Sequence, residues 1–262
     1  MLKNRRESMG QIETLSEPQA VSMADEWFGF ATSDHFWMQW RHRLLVQALK
    51  RAGTTVRRAL EVGCGHGVAR DMLERDLGIP VDGCDLNRMA LEMAKPGKGQ
   101  LFLYNILDQK PSLLGRYDAV FLLDVIEHIE DDAAFLVAAL RHLRPGGLVV
   151  VNVPASMLFF SDYDRAVGHV KRYTRDSLAK LLKLCGVEAL SIWPWGLLMV
   201  PLLLARKALL RTSKTADIIR AGLVPPNGIS RLLLQGMKNI ETALPFRMPF
   251  GTSILAWGYS RD

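Results

Sequence analysis

Residues 60–67 read Leu60-Glu61-Val62-Gly63-Cys64-Gly65-His66-Gly67, an apolar run broken by three glycines at alternate positions. The pattern describes a buried strand entering a tight turn. Without β-carbons, the backbone at Gly63, Gly65 and Gly67 can take positive φ and lie close to a ligand. A helix starting near Gly67 would aim unsatisfied backbone N–H groups at that ligand. The spacing is not that of the dinucleotide fingerprint G-x-G-x-x-G, whose third glycine would fall at Val68. Alone, the loop fits a structural turn as well as a binding loop.

The chain downstream repeats the same grammar. A second apolar run, 81–84, ends in Asp85, and an acid at the tip of the second strand of a βαβ unit is placed to hydrogen-bond a ribose. A third run, 101–104, ends at Asn105, and a fourth, 118–124, opens into Asp124-Val125-Ile126-Glu127-His128. A fifth, 148–153, follows the turn Arg144-Pro145-Gly146-Gly147, and runs 187–193 and 253–260 complete the set. Helical stretches separate most of these strands, which predicts a parallel sheet with helices on both faces. The distinctive polar residues all lie at the carboxyl ends of strands, where open α/β sheets bind ligands.

These pieces, in this order and spacing over about residues 55–155, resemble the class I S-adenosylmethionine-dependent methyltransferases. The resemblance implies a seven-stranded Rossmann-like α/β sheet with an N-terminal helical cover and a helical insertion before the last strand. It implies S-adenosyl-L-methionine as cofactor and S-adenosyl-L-homocysteine as product. Gly63, Gly65 and Gly67 would line the methionine part, Asp85 would take the ribose hydroxyls, and Asn105 with the Ile106 backbone would meet the adenine. Glu61, Cys64, Leu86 and Asp124 join the expected cofactor contacts. The family more often has Asp at Asn105, and Asn can still accept from an exocyclic amine. The expected reaction is direct in-line displacement, most of it achieved by alignment and desolvation. It needs no metal, and the sequence shows no convincing ligand cluster.

The acceptor side rests on less regular segments. Asp124-Val125-Ile126-Glu127-His128 resembles the run in small-molecule methyltransferases such as those of quinone biosynthesis. His128 there could act as a general base, since an imidazole of pKa near 6.5 suits that task, or could cap a turn. Glu127 is expected to orient the loop. The run Gly168-His169-Val170-Lys171-Arg172-Tyr173-Thr174 resembles a stretch of a bacterial methyltransferase branch associated with small molecules, lipids and surface glycans. His169, Arg172 and Tyr173 are candidates to bind or deprotonate an acceptor; the alternative is that they tie down a surface loop. Thr174 is expected to cap the helix that follows.

At the N-terminus the first dozen residues look disordered, and two helices are expected before the sheet, the second capped by Ser33 or Asp34. Around them cluster Trp27, Phe28, Phe30, Phe36, Trp37 and Trp40. N-terminal helices often cover the active site in this family, so Trp37, Trp40 and Arg41 are candidate acceptor contacts, against the alternative of a helix packed on the sheet edge. The charged opening run 1–10 is not expected to be a secretory signal. Cys64, Cys84 and Cys185 form no disulfide or zinc pattern. A reducing cytoplasm is the expected compartment, either free or at the inner face of the membrane.

About sixty residues separate the last two expected strands, where the family normally has a short hairpin. Within 194–238 the basic residues are Arg206, Lys207, Arg211, Lys214, Arg220, Arg231 and Lys238, against the single acid Asp217. Their local excess equals the whole chain's net charge of +6. An apolar run followed by a basic helix suits either peripheral membrane contact through 195–238 or an ordinary lid over a substrate. The apolar stretch 195–205 is far short of the ~20 residues needed to span a bilayer. The expected organisation is a start and helical cap over 1–54, a cofactor-binding core over 55–193, the insertion over 194–250 and a last core strand over 251–262. Nucleic acid is disfavoured, because no Pro-Pro-aromatic run follows the fourth strand and no RNA-binding module is present. The expected activity is O-methylation of a small-molecule, lipid-like or glycan acceptor. N-methylation, RNA methylation and a non-catalytic cofactor-binding subunit are the alternatives.

Overall fold

Strand β5 (Tyr117–Leu123) and residues 148–153 of strand β6 (Leu143–Pro154) carry apolar residues at nearly every position, the signature of strands covered on both faces. Alternate side chains serve opposite cores. Val120, Leu122, Val149, Val151 and Val153 point into one, while Phe121, Leu123, Leu148 and Val150 point into the other. The computed structural model describes residues 12–19, 28–29, 31–209, 228–244 and 248–261. The remaining strands are β1 (Ile12–Thr14), β2 (Ala59–Val62), β3 (Val81–Asp85), β4 (Leu101–Leu103), β7 (Val187–Trp195) and β8 (Ser253–Ser260). They form one sheet in the order β1-β4-β3-β2-β5-β6-β8-β7, parallel except that β8 is antiparallel to both its neighbours.

The first core is closed by α4 (Asp132–Leu140) and α6 (Arg175–Leu184), the second by α1 (Phe36–Ala52) and α2 (Val68–Leu77). Two shorter helices, α3 (Arg88–Met93) and α5 (Asp162–Ala166), follow β3 and β6. In the insertion a single 3₁₀ turn leads into α7 (Val200–Leu209), and α8 (Gly228–Ala243) packs along α1. There the buried Lys238 donates to Gln39 Oε1 at 2.7 Å and Gln47 donates to the Thr242 carbonyl at 2.9 Å. Lys238 therefore belongs to a helix interface and not to the basic surface its sequence neighbourhood suggests. Arg211, Lys214, Asp217 and Arg220 lie outside the described residues.

The expected elements form, with four differences. The sheet has eight strands, because Ile12–Thr14 pairs in parallel with β4 before any helix. Three residues are too few to show a period-2 pattern in sequence. The start of α1 is His35 without a side-chain cap; Ser33 and Asp34 sit in the preceding turn, closed by the His35 N–H to the Thr32 carbonyl at 3.0 Å. Arg144-Pro145-Gly146-Gly147 is an irregularity inside β6 and not a turn before it, with Gly146 at φ 70° and the register against β5 shifted there. Of the first expected helix, Phe28 and Gly29 are helical, while Trp27, Phe30 and residues 1–11 lie outside the described residues. Thr174 does cap α6, accepting from the Ser177 N–H at 3.0 Å.

The insertion leaves the sheet at the end of β7 and returns at β8, where Gly251 meets Trp195. A Cβ on Gly251 would stand 2.0 Å from the Trp195 carbonyl oxygen, a backbone atom that cannot rotate away. Gly251→Ala should therefore lower unfolding stability by about 1–3 kcal/mol, as overpacking does, measured by urea titration.

Candidate active site

A cavity of about 540 Å³ opens at the carboxyl ends of the parallel strands. Its floor is the glycine loop. Gly63, Gly65 and Gly67 all take positive φ, at 68°, 52° and 73°. A Cβ at Gly63 would lie 2.7 Å from Val125 Cγ2, so this loop and the end of β5 pack directly on each other. Gly63, Cys64 and Gly65 line the cavity; Gly67 does not, because it serves behind the loop as the N-cap of α2.

Asp85, Leu86, Asn105 and Ile106 line one side. Asp85 accepts from the Gly65 N–H at 2.7 Å and the Asn87 N–H at 2.8 Å, which fixes its carboxylate against the loop. Burial raises its pKa, and those backbone N–H bonds oppose the shift. The Asn105 side-chain oxygen accepts from the Leu107 N–H at 3.0 Å, which leaves its amide N–H groups to offer. Glu61 faces the cavity from β2, almost wholly buried, and its Oε2 has no hydrogen-bond partner among the described residues. Burial pushes its pKa up to about 7, against the pull of the Arg41 charge.

Arg41 projects from α1 to Asp124 at 2.5 Å, and Asn152 holds the other carboxylate oxygen at 2.6 Å. Trp195 Nε1 donates in turn to Asn152 Oδ1 at 2.9 Å. Asp124 sits at φ 61°, a conformation Asp tolerates better than most residues and one that these partners hold. Arg41 thus lies beside the glycine loop, at the end of the cavity expected to take the cofactor. Trp37 lines the cavity and stacks on Trp195 at 4.5 Å between ring centroids. Trp40 is fully buried in the core behind, because its position on α1 faces the sheet, and it is removed from the candidate acceptor contacts.

At the far end stand Glu127, His128 and His169. His128 Nδ1 donates to the Gly168 carbonyl at 3.1 Å, and its ring meets His169 edge-on at 4.8 Å. Burial, helped by the neighbouring His169 charge, lowers the His128 pKa to about 4, so the imidazole is neutral at physiological pH. His169 Nδ1 is bound to Asp164 at 3.0 Å. Asp164 is fully buried and also accepts from Arg172 Nε at 2.7 Å and the Ser161 N–H at 2.8 Å. Burial alone would raise its pKa; the bonds from His169 and Arg172 and the Arg172 charge hold it well below the usual carboxylate range. Arg172 and Tyr173 are turned away from the cavity. Arg172 is spent on Asp164 and the Ala155 carbonyl, and the Tyr173 hydroxyl donates toward Asp132 at 2.6 Å. Both shape the loop that carries His169, so the structure does not support them as acceptor contacts.

The sequence matches a family model described as a methyltransferase domain over residues 29–192, well over half of the chain. The chain belongs to the class I S-adenosylmethionine-dependent methyltransferases. It is 29% identical over 160 residues to a protein of Mycolicibacterium smegmatis named as a probable S-adenosylmethionine-dependent methyltransferase, covering 59% of this chain and 60% of that one. It is 32% identical over 120 residues to a ubiquinone biosynthesis O-methyltransferase of Alkalilimnicola ehrlichii, covering 41% of this chain and 47% of the relative. These alignments span about half of the relatives. Phosphoethanolamine N-methyltransferase 2 of Haemonchus contortus, solved with S-adenosyl-L-methionine, shares the fold at a TM-score of 0.56 and 19% identity, over 85% of this chain and 53% of that one.

The family's cofactor suits this cavity on its own residues. Glu61 presents a buried carboxylate oxygen in want of a donor, and Asp85 is fixed at the tip of β3. Sequence reasoning missed Asp164, Asn152 and the cavity-lining Met199 and Leu203, none of which carries a local signal; only the fold brings them to the site.

The raised pKa of Glu61 has a consequence for the free methyltransferase. The folded protein holds this proton up to about pH 7, whereas the unfolded chain releases it near 4.5. The associated stability is complete below pH 4.5 and lost as pH rises through 7, on the order of 3 kcal/mol. Glu61→Gln should flatten that decline, measured by urea unfolding at pH 5 and pH 8 without ligand.

Proposed function

We propose that this methyltransferase carries out O-methylation of an apolar small-molecule or lipid-like acceptor. The observation that carries the reading is the composition of the cavity. Phe36, Trp37, Val167, Met199 and Leu203 line it, together with the polar cluster of Glu127, His128 and His169. An apolar body with one reacting oxygen fits that distribution better than a glycan, whose many hydroxyls would need partners. The ubiquinone O-methyltransferase relatives support an oxygen acceptor.

When bound, S-adenosyl-L-methionine supplies an electrophilic methyl group. Glu61 would pair with its ammonium group, and Asp85 would accept from the ribose hydroxyls. Asn105 and Ile106 would face the adenine, and the glycine loop with Asp124 would border the methionine. The histidine corner would hold the acceptor oxygen in line with the methyl group, and the apolar walls would exclude water.

The insertion supports the route by which such an acceptor arrives. On α7, Leu203 faces the cavity while Leu202 and Leu204 are exposed, and Leu232, Leu233 and Ile240 are exposed along α8. No helix among the described residues is long and apolar enough to cross a membrane. We assign these side chains to peripheral contact with a membrane surface that presents the acceptor.

Two measurements test this reading. Asp85→Ala should weaken S-adenosyl-L-homocysteine binding by about 1.5–3 kcal/mol in calorimetry, the worth of a charge-assisted hydrogen bond; unchanged affinity would mean the ribose contact is elsewhere. The purified protein should methylate long-chain phenols presented in anionic vesicles and co-sediment with those vesicles. That attraction should fall with salt, since each basic residue near the surface contributes about 1 kcal/mol. Transfer only to soluble polar acceptors would overturn the lipid reading.

A further inference from the structure

Glu127, His128 and His169 come from two segments forty residues apart, the 3₁₀ turn Ile126–His128 and the loop after α5. The Val170 N–H donates to the Glu127 carbonyl at 2.9 Å, which staples the segments together beside the three side chains. The ligand-capable atoms of all three lie within 4.8 Å of one another.

Each imidazole has its Nδ1 tied to an acceptor, so Nε2 is the nitrogen each ring offers to a ligand. A carbonyl oxygen can only accept, so His128 Nδ1 carries its proton toward Gly168, which leaves the Nε2 lone pair unprotonated. The Asp164 carboxylate accepts from His169 Nδ1, in the carboxylate–histidine arrangement that orients metal-bound imidazoles, and Nε2 is the ring nitrogen left to face Glu127. Glu127 is fully buried, and neither of its carboxyl oxygens has a hydrogen-bond partner among the described residues. His169 Nε2 stands 3.9 Å from its Oε1. An ionised carboxylate is costly to bury without a close counter-charge.

We propose that Glu127, His128 and His169 bind a divalent cation of the zinc class at the acceptor end of the cavity. Two imidazole nitrogens and one carboxylate select zinc, cobalt or ferrous iron over magnesium and calcium, which favour all-oxygen shells. Ligand atoms of a tetrahedral zinc shell lie about 3.4 Å apart, so side-chain rotation by roughly an ångström closes the present spacing. Three protein ligands leave a fourth position open toward the cavity, the arrangement of sites that receive a substrate oxygen. The site stands on these side chains and does not depend on the acceptor reading.

Chelator-treated protein titrated with zinc alone should bind one equivalent with a dissociation constant in the micromolar range or tighter. Millimolar magnesium should not compete, and cobalt should give visible absorption bands of a low-coordinate site. Glu127→Gln keeps the shape of the side chain without its charge and should weaken zinc binding at least tenfold. His169→Gln should do the same, and gives the reading if the first variant does not fold by circular dichroism. S-adenosyl-L-homocysteine affinity should stay within a few-fold in both. No zinc binding, or equal affinity in the folded variants, overturns the cation site. Failure of the unaltered protein to bind S-adenosyl-L-homocysteine overturns the cofactor reading instead.

Discussion

The ion pair between Arg41 and Asp124 is the contact on which the geometry of the site depends. It joins a helix outside the sheet to the end of a central strand, and Asn152 and Trp195 extend it across two more strands. The cover helix, the cofactor end of the cavity and the root of the insertion are thereby referred to one carboxylate. Its cost is a non-glycine residue at positive φ, held there by Arg41 and Asn152. Removing Arg41 would leave a partly buried carboxylate short of its counter-charge, so the pair matters more for the shape it imposes than for its net contribution to stability.

The cavity divides by polarity. The end with the glycine loop is built from backbone and fixed carboxylates, with Glu61 and Asp85 both made reluctant to ionise by burial. A ligand bearing positive charge and hydroxyls restores what burial removed, which is how such an end gains selectivity without large movements. At the corner of Glu127, His128 and His169 the loop after β6 does the positioning. Asp164 never reaches the cavity; it holds His169, Arg172 and the loop backbone at once, so its burial governs a ring it merely supports.

The insertion explains why a compact family fold has become larger here. β7 and β8 pair as an antiparallel hairpin whose connection carries α7 and α8 instead of a turn. Lys238 and Glu241 fasten the returning helix, the first to Gln39 and the second to the Gly196 backbone, so the sequence charge of this segment is partly spent on docking. The leucines that remain exposed on both helices are the feature a lipid-facing surface would use.

The linear order of residues was enough to determine seven of the eight strands, the glycine loop and the family, because each is encoded by neighbours a few positions apart. Strand period, turn glycines and strand-end acids are local signals. It determined much less about the acceptor site. Trp40, Arg172 and Tyr173 carry the residue types of a binding surface, yet burial and hydrogen bonding place them behind it. Conversely, Glu127, His128 and His169 show no ligand spacing in sequence, and Asp164 shows no signal at all. Their meeting depends on how the loop after β6 folds back over the turn after β5. That is a contact between segments forty residues apart, and only packing in three dimensions decides it.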